Sequence, residues 1–269
     1  MSKLRLRASD PRDGYIHRIS PQSAGWKYVG FDVLVLRPGE SKAAATGDRE
    51  ACLVVLSGRI TAAAGGSGMG ELGGRASVFE GPGHSLYVPA KSDWAITALT
   101  DCEVAVCTAP GTGSLPARVI APAEVGHETR GTGTNTRHVR NILPDSSPHA
   151  ESLLVVEVIT PGGHWSSYPP HKHDRDALPE ESQLEETYYH RIHPPQGYAV
   201  QRVYTDDRSL DETVLVEDRD VVLVPRGYHP VGAAHGYDLY YLNVMAGPRR
   251  IWRFHNDPDH AWLMAKPKA

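Results

Sequence analysis

Trp165-Ser-Ser-Tyr-Pro-Pro-His-Lys-His-Asp174 is the stretch on which the reading turns. Side chains alternate along a strand, so His171 and His173 point to one face and Lys172 to the other. Two imidazoles side by side are half of a metal site. Downstream stand Glu186, in Leu184-Glu-Glu-Thr-Tyr-Tyr-His-Arg191, and His229, in Pro225-Arg-Gly-Tyr-His-Pro230. Three histidines and a carboxylate can hold a divalent ion and leave positions open for a substrate. Taken alone, the His-x-His pair is weak, because the chain has 14 histidines. The order of the four residues, with the third histidine in a Pro-x-Gly-x-His turn after a strand, makes the pattern specific.

Around this stretch the chain reads as all-β. Gly and Pro are frequent (26 and 21 of 269 residues). Between these breaks lie short runs rich in Val and Tyr: 29–36, 51–60, 85–89, 102–107, 152–159, 199–204, 213–216, 221–224 and 239–245. Many short strands at close spacing suggest a sandwich or barrel. Helix is expected only near 121–126 and 257–265. Cys52, Cys102 and Cys107 are odd in number and lack metal spacing, so they read as small strand residues rather than a disulfide framework.

A loose internal repeat divides the chain. Arg49-Glu-Ala-Cys-Leu-Val-Val-Leu-Ser-Gly58, followed by a strand ending at Pro89, answers 183–191, followed by a strand ending at Pro225. The expected division is 1–125 and 126–269, in the Gly-, Thr- and Pro-rich connection. The first half carries no His-x-His and is expected to be a barrel without metal.

The net charge of −4 shows no basic patch, so neither nucleic acid nor an anionic membrane surface is an expected partner. No apolar run reaches the roughly 20 residues needed to span a bilayer. The start, Met1-Ser-Lys-Leu-Arg-Leu-Arg7, has no apolar signal segment, and a cytoplasmic location is expected.

The His-x-His, Glu and Pro-x-Gly-x-His series resembles the two motifs of the cupin superfamily, which implies a bicupin of two antiparallel (jelly-roll) barrels. Two departures stand out. Residues 175–183 lengthen the step from His173 to the glutamate, and His193-Pro-Pro-Gln replaces the usual closing glycine. The longer step leaves Glu185 as a competitor. Glu186 is preferred because it shares parity with Tyr188 and His190, which would turn Glu185 outward with Tyr189.

Within the cupins, the long Tyr-Pro-Pro-His-Lys-His-Asp run, Asn135-Thr-Arg-His-Val, Asp220-Val-Val-Leu-Val-Pro-Arg-Gly-Tyr-His-Pro230 and 236–248 are similar to the 5-deoxy-glucuronate isomerases of myo-inositol catabolism. These are related to the 4-deoxy-5-keto uronate isomerases. The resemblance implies a metal-dependent aldose–ketose isomerase converting 5-deoxy-D-glucuronate to 5-dehydro-2-deoxy-D-gluconate, and it places the metal on His171, His173, Glu186 and His229. It also implies one divalent metal ion, zinc first, then manganese or iron. A sugar-acid substrate and a homo-oligomer are expected.

For proton transfer the candidates are Tyr188, Tyr240 and His190. For the substrate carboxylate they are Arg226, Arg191, Lys172 and Arg137, since a guanidinium matches a carboxylate in two places. The tyrosines are also readable as core, His190 as a packed or surface histidine and the arginines as surface charges, and strand alternation makes Lys172 read as a solvated surface lysine. Asp174 either orients a ligand from behind or opens the acidic loop. A cupin oxygenase and a non-catalytic sugar-binding bicupin are the alternative functions.

Overall fold

The computed structural model describes residues 2–264. Six antiparallel sheets form, and the four larger ones stack as layers. In the first half a six-stranded sheet is built from Tyr15–Ile19, Gly30–Leu36, Arg49–Ser57, Ser85–Val88, Cys102–Pro110 and Arg118–Ile120. A four-stranded sheet of Ser41–Ala45, Arg59–Ala64, Ser67–Gly73 and Asp93–Ala98 covers one face of it. The second half repeats the plan. Arg137–Leu143, Leu154–Thr160, Glu185–His193, Val221–Val224 and Asp238–Ala246 form the large sheet with Gly126–Arg130. Trp165–Ser166, Ala199–Tyr204, Asp211–Val216 and Val231–Ala233 form the small one. Each half is thus a pair of facing open sheets rather than one hydrogen-bonded ring.

The two large sheets lie back to back. Phe31, Val33, Cys52, Val54 and Ala105 from one meet Val155, Tyr189, Leu223, Leu242 and Val244 from the other in a shared core. The opposite faces pack against the small sheets, Leu34, Leu53 and Val104 with Ile60 and Trp94, and Leu154, Tyr188 and Tyr241 with Val203 and Val214. Strands buried on both faces have no polar side, and this is why 51–56 and 221–224 read as unbroken apolar runs. The small-sheet strands keep an alternating pattern, as in Arg59–Ala64 and Asp93–Ala98. All three cysteines are free and buried, and Cys52 faces Cys107 across the strand pair. Burial raises the thiol of Cys107 well above its ordinary value.

The N-terminus does not stay with its half. Arg5–Leu6 pairs with Val221 and Val222 at the edge of the second large sheet. The expected helical stretches are short 3-10 turns, Pro122–Glu124 and Pro258–Met264; residue 265 lies outside the described residues. One helical turn not foreseen, Pro21–Ala24, is capped by Ser20.

Candidate metal centre

The second large sheet supplies the floor of the site. Across it, Val139 pairs with Val158, Val158 with Tyr241 and Tyr241 with His190; one step along, Val156 pairs with Asn243 and Asn243 with Tyr188. Glu186 stands two residues before Tyr188 on the same face and is 1% exposed. The walls come from loops. His171 lies in a two-residue strand paired to His255–Asn256 of the C-terminal segment, and His173 follows at the same parity. His229 ends the turn after Val221–Val224. That turn needs Gly227, whose φ is +90° and where a Cβ would fall 2.4 Å from the Tyr204 carbonyl oxygen.

The ring nitrogens of His171, His173 and His229 lie within 4.8 Å of one another. His173 donates from Nδ1 to the Leu184 carbonyl at 3.2 Å, and His229 from Nδ1 to the Gly227 carbonyl at 2.9 Å. These bonds fix the tautomer and turn both Nε2 lone pairs inward. Both Nε2 atoms lie beside the same carboxylate oxygen, Glu186 Oε2, at 3.0 Å and 3.2 Å. Nε2 of His229 is buried and has no aligned hydrogen-bond partner. Lone pairs and a carboxylate oxygen converging in a buried space repel one another unless a cation lies between them. Separations of about 3 Å between donors suit bonds of about 2.1 Å to a shared ion. The three histidines, with Glu186 beside two of them, therefore fit a divalent metal.

The electrostatics agree at two of the three histidines. Burial, then the neighbouring His229, His173, Arg137 and Arg130, holds His171 well below its ordinary pKa. Burial likewise lowers His229, to about 4. Both offer neutral nitrogens at neutral pH. At His173 burial also lowers the pKa, but the contact with Glu186 outweighs it and the net shift is upward.

Glu185 faces away from the site, though not into solvent as its parity suggested. It is 9% exposed and accepts the backbone N–H groups of Lys27, Tyr28 and Val29 at 2.7, 2.7 and 3.1 Å, tying the two halves together.

The remaining candidates separate. Tyr188 and Arg137 line the cavity beside His171 and Glu186. Tyr188 donates to or accepts from Ser167 Oγ at 2.9 Å, and burial, then the charge of Glu186, raises its pKa well above the ordinary tyrosine value. His190 lies one layer behind, stacked on Tyr188 with centroids 5.8 Å apart and bonded to Gln201 at 3.1 Å. Burial lowers its pKa to about 3. Tyr240 is on the other face of its strand, where it donates to Glu157 Oε1 at 2.8 Å between the halves. Its neighbour Tyr241 joins Tyr188 at the cavity.

Arg191 also points between the halves and pairs with Glu103 at 2.9 Å and Asp218 at 3.0 Å. Arg226 is exposed on the surface turn before His229. Lys172 is not a solvated surface lysine. It is 2% exposed, bonded to Asp206, 3.4 Å from Asp174, with its ammonium 5.4 Å from the centre of the Tyr228 ring. Asp174 accepts the Gly227 N–H at 2.8 Å, so it steadies the turn that carries His229 rather than a ligand ring. The lengthened step folds as a small hairpin, Asp174–Ala177 with Glu181–Gln183.

Two cavity residues lay outside the sequence reading, Arg130 and Trp252. The first sits in the connection, the second on a C-terminal segment that folds back over the mouth.

Fold and site together define the class: a two-sandwich cupin with three histidines and one carboxylate in its second half. The structure of oxalate decarboxylase from Lactobacillus farciminis, a formate complex, has the same fold. Its TM-score is 0.66 at 13% identity, over 99% of this chain and 91% of that one. The chain belongs to the KduI/IolB family, whose description matches residues 3–263. An IolB-like protein from Salmonella typhimurium superposes with a TM-score of 0.95 at 54% identity, covering 98% of this chain and all of that one. The chain is 58% identical to a 5-deoxy-glucuronate isomerase of Geobacillus kaustophilus, over 98% of its own length and 96% of the relative's. It is 51% identical to one of Bacillus subtilis, over 93% of each.

Proposed function

We propose that this protein is a 5-deoxy-glucuronate isomerase, turning the aldose acid 5-deoxy-D-glucuronate into the ketose acid 5-dehydro-2-deoxy-D-gluconate in myo-inositol breakdown. The observation that carries the reading is the convergence of two inward Nε2 lone pairs on Glu186, in a chain 58% identical to a relative of that name.

In the reaction a C2–H bond breaks, a C1–H bond forms, and the hydroxyl proton of O2 passes to O1. Negative charge builds on both oxygens on the way. A divalent cation, zinc first and manganese or iron after it, would be held by His171, His173, Glu186 and His229 and would supply Lewis-acid stabilisation of that charge. Tyr188 stays protonated at neutral pH, because burial and the Glu186 charge disfavour its phenolate. Its hydroxyl, held at 2.9 Å from Ser167 Oγ, serves as a hydrogen-bond donor toward a developing oxyanion. Among the four cationic candidates, Arg137 is the one at the cavity. It uses Nη1 for the carbonyls of Asn135 and Tyr168, at 3.1 and 3.0 Å. His190 backs the Tyr188 ring and is itself held by Gln201.

Incubation of metal-replete protein with 5-deoxy-D-glucuronate in deuterium oxide, followed by proton NMR, tests the reading. The expected result is ketose formation; deuterium at C1 marks transfer as a solvent-exchanged proton, and its absence marks a hydride shift from C2 to C1. Absence of conversion overturns it.

A further inference from the structure

Arg130 and Arg137 face each other across the hairpin formed by Gly126–Arg130 and Arg137–Leu143. Directly opposed residues share one face of the sheet, and like charges in that position repel. The compensation is incomplete. Arg130 pairs with Glu128 at 2.7 Å, a half-exposed contact, whereas Arg137 has backbone carbonyls alone. Burial, with Arg130 adding to it, lowers the pKa of Arg137. Both guanidinium groups line the cavity of the histidine cluster, where Glu186 is the one acid among the lining residues.

Trp252 completes the arrangement. Its ring lies 5.1 Å from the Arg130 guanidinium carbon. Its indole Nε1–H is buried without an acceptor, whereas that of the half-buried Trp26 donates to the Val29 carbonyl at 2.7 Å. A buried donor left unpaired beside two partly uncompensated cations calls for an anionic acceptor.

Resting on the isomerase reading of the same site, we propose that Arg130, Arg137 and the Trp252 indole form the cradle for the substrate's carboxylate, and so fix which end of a sugar acid faces the histidines. The carboxylate sits at the hairpin and the carbonyl end at Glu186, His171, His173 and His229. The cradle selects uronate-type substrates over neutral sugars of the same length.

The cavity itself holds about 30 Å³, room for one water, so a six-carbon acid must push part of the wall aside. Trp252 lies on the segment between the strands Asp238–Ala246 and His255–Asn256. Around it, Trp252 N–H donates to Asp145 at 3.1 Å and Arg253 N–H to Ser182 at 3.0 Å. Acid binding therefore alters the surroundings of the Trp252 ring.

The test uses the intact chain loaded with its metal, with the variants Arg130→Gln and Trp252→Phe, which leave the four histidine and glutamate donors in place. Three readouts are taken: KM and kcat for 5-deoxy-D-glucuronate, calorimetric binding of D-glucarate (a sugar diacid with no aldehyde), and binding of neutral D-sorbitol. Loss of one charge-assisted contact is expected to raise KM and the glucarate Kd about 10-fold to 100-fold for Arg130→Gln. For Trp252→Phe about 5-fold is expected, from one neutral donor. Bound metal and the weak sorbitol binding should stay unchanged. Wild-type affinity for glucarate and KM in both variants would overturn the cradle even with isomerisation intact. A wild-type protein that binds glucarate through Arg130 but makes no ketose would uphold the cradle and overturn the isomerase reading.

Discussion

The two halves share one strand plan and differ where the chemistry lies. In each large sheet the strand after the first small-sheet strand begins with an anchoring glutamate. Glu50 accepts N–H groups from Glu151, Ser152 and Leu153 at 2.8, 2.7 and 2.6 Å, as Glu185 does from 27–29. Each half thereby grips the other's backbone with a buried carboxylate. The next residue decides the difference. Ala51, opposite Val88, occupies the place that Glu186, opposite Val224, has in the second half. The loop leading into this strand is 46–48 in the first half and 167–184 in the second, and the longer one carries His171 and His173. A scaffold that buries both faces of its central sheets leaves loop length and one strand position free to build a site.

This comparison can be broken at several strengths. The largest effect is expected from His171→Ala or Glu186→Ala, which should lower kcat/KM by about 10³-fold or more through loss of metal, as read by isomerisation and elemental analysis. Metal retained at full rate in either variant would break the assignment. Glu185→Ala and Glu50→Ala should instead behave alike: each strands three buried N–H groups and costs about 3 kcal/mol or more in chemical denaturation, with bound metal preserved. Unequal metal content between these two would show that Glu185 is a ligand after all.

Arg191→Ala removes one partner of the buried Glu103, which Arg219 and Tyr189 still contact. A loss of about 2 kcal/mol of stability with unchanged KM is expected. A raised KM would return Arg191 to the substrate. The smallest effect is on pH dependence. His190 is buried and neutral, with a folded pKa of about 3, below its unfolded value. Its contribution to stability is complete above about pH 6.5 and declines as pH falls toward 3, by about 1.4 kcal/mol per unit across that window. His190→Gln should flatten the fall in denaturation midpoint between pH 6.5 and 4; an unchanged slope would place the acid sensitivity elsewhere.

Much of this was legible in the residues because burial writes itself as apolar runs. Ala199–Tyr204 and Val221–Val224 match their runs end to end, and strand parity placed Glu186 rather than Glu185 at the cavity. Ser41–Ala45 and Ser67–Gly73 were not legible, since Ala and Gly have low strand preference and tertiary pairing forms them. Tyr240 is the candidate the sequence offers and Tyr241 the one at the cavity, because two adjacent tyrosines look alike until the register is known. The pairing of Asn243 with Tyr188 puts odd-numbered residues of that strand at the site. Arg130 and Trp252 carried no local signal. A hairpin register brings the first to the cavity, and the C-terminal segment after Asp238–Ala246 turns back to bring the second. Lys172 read as surface because nothing in the sequence joins it to Asp206.

The most direct test is the metal content of the intact protein, measured together with ketose formation from 5-deoxy-D-glucuronate before and after chelation. The account predicts one divalent ion per chain, activity lost with that ion and restored when it is returned. Undiminished conversion by metal-free protein would contradict it.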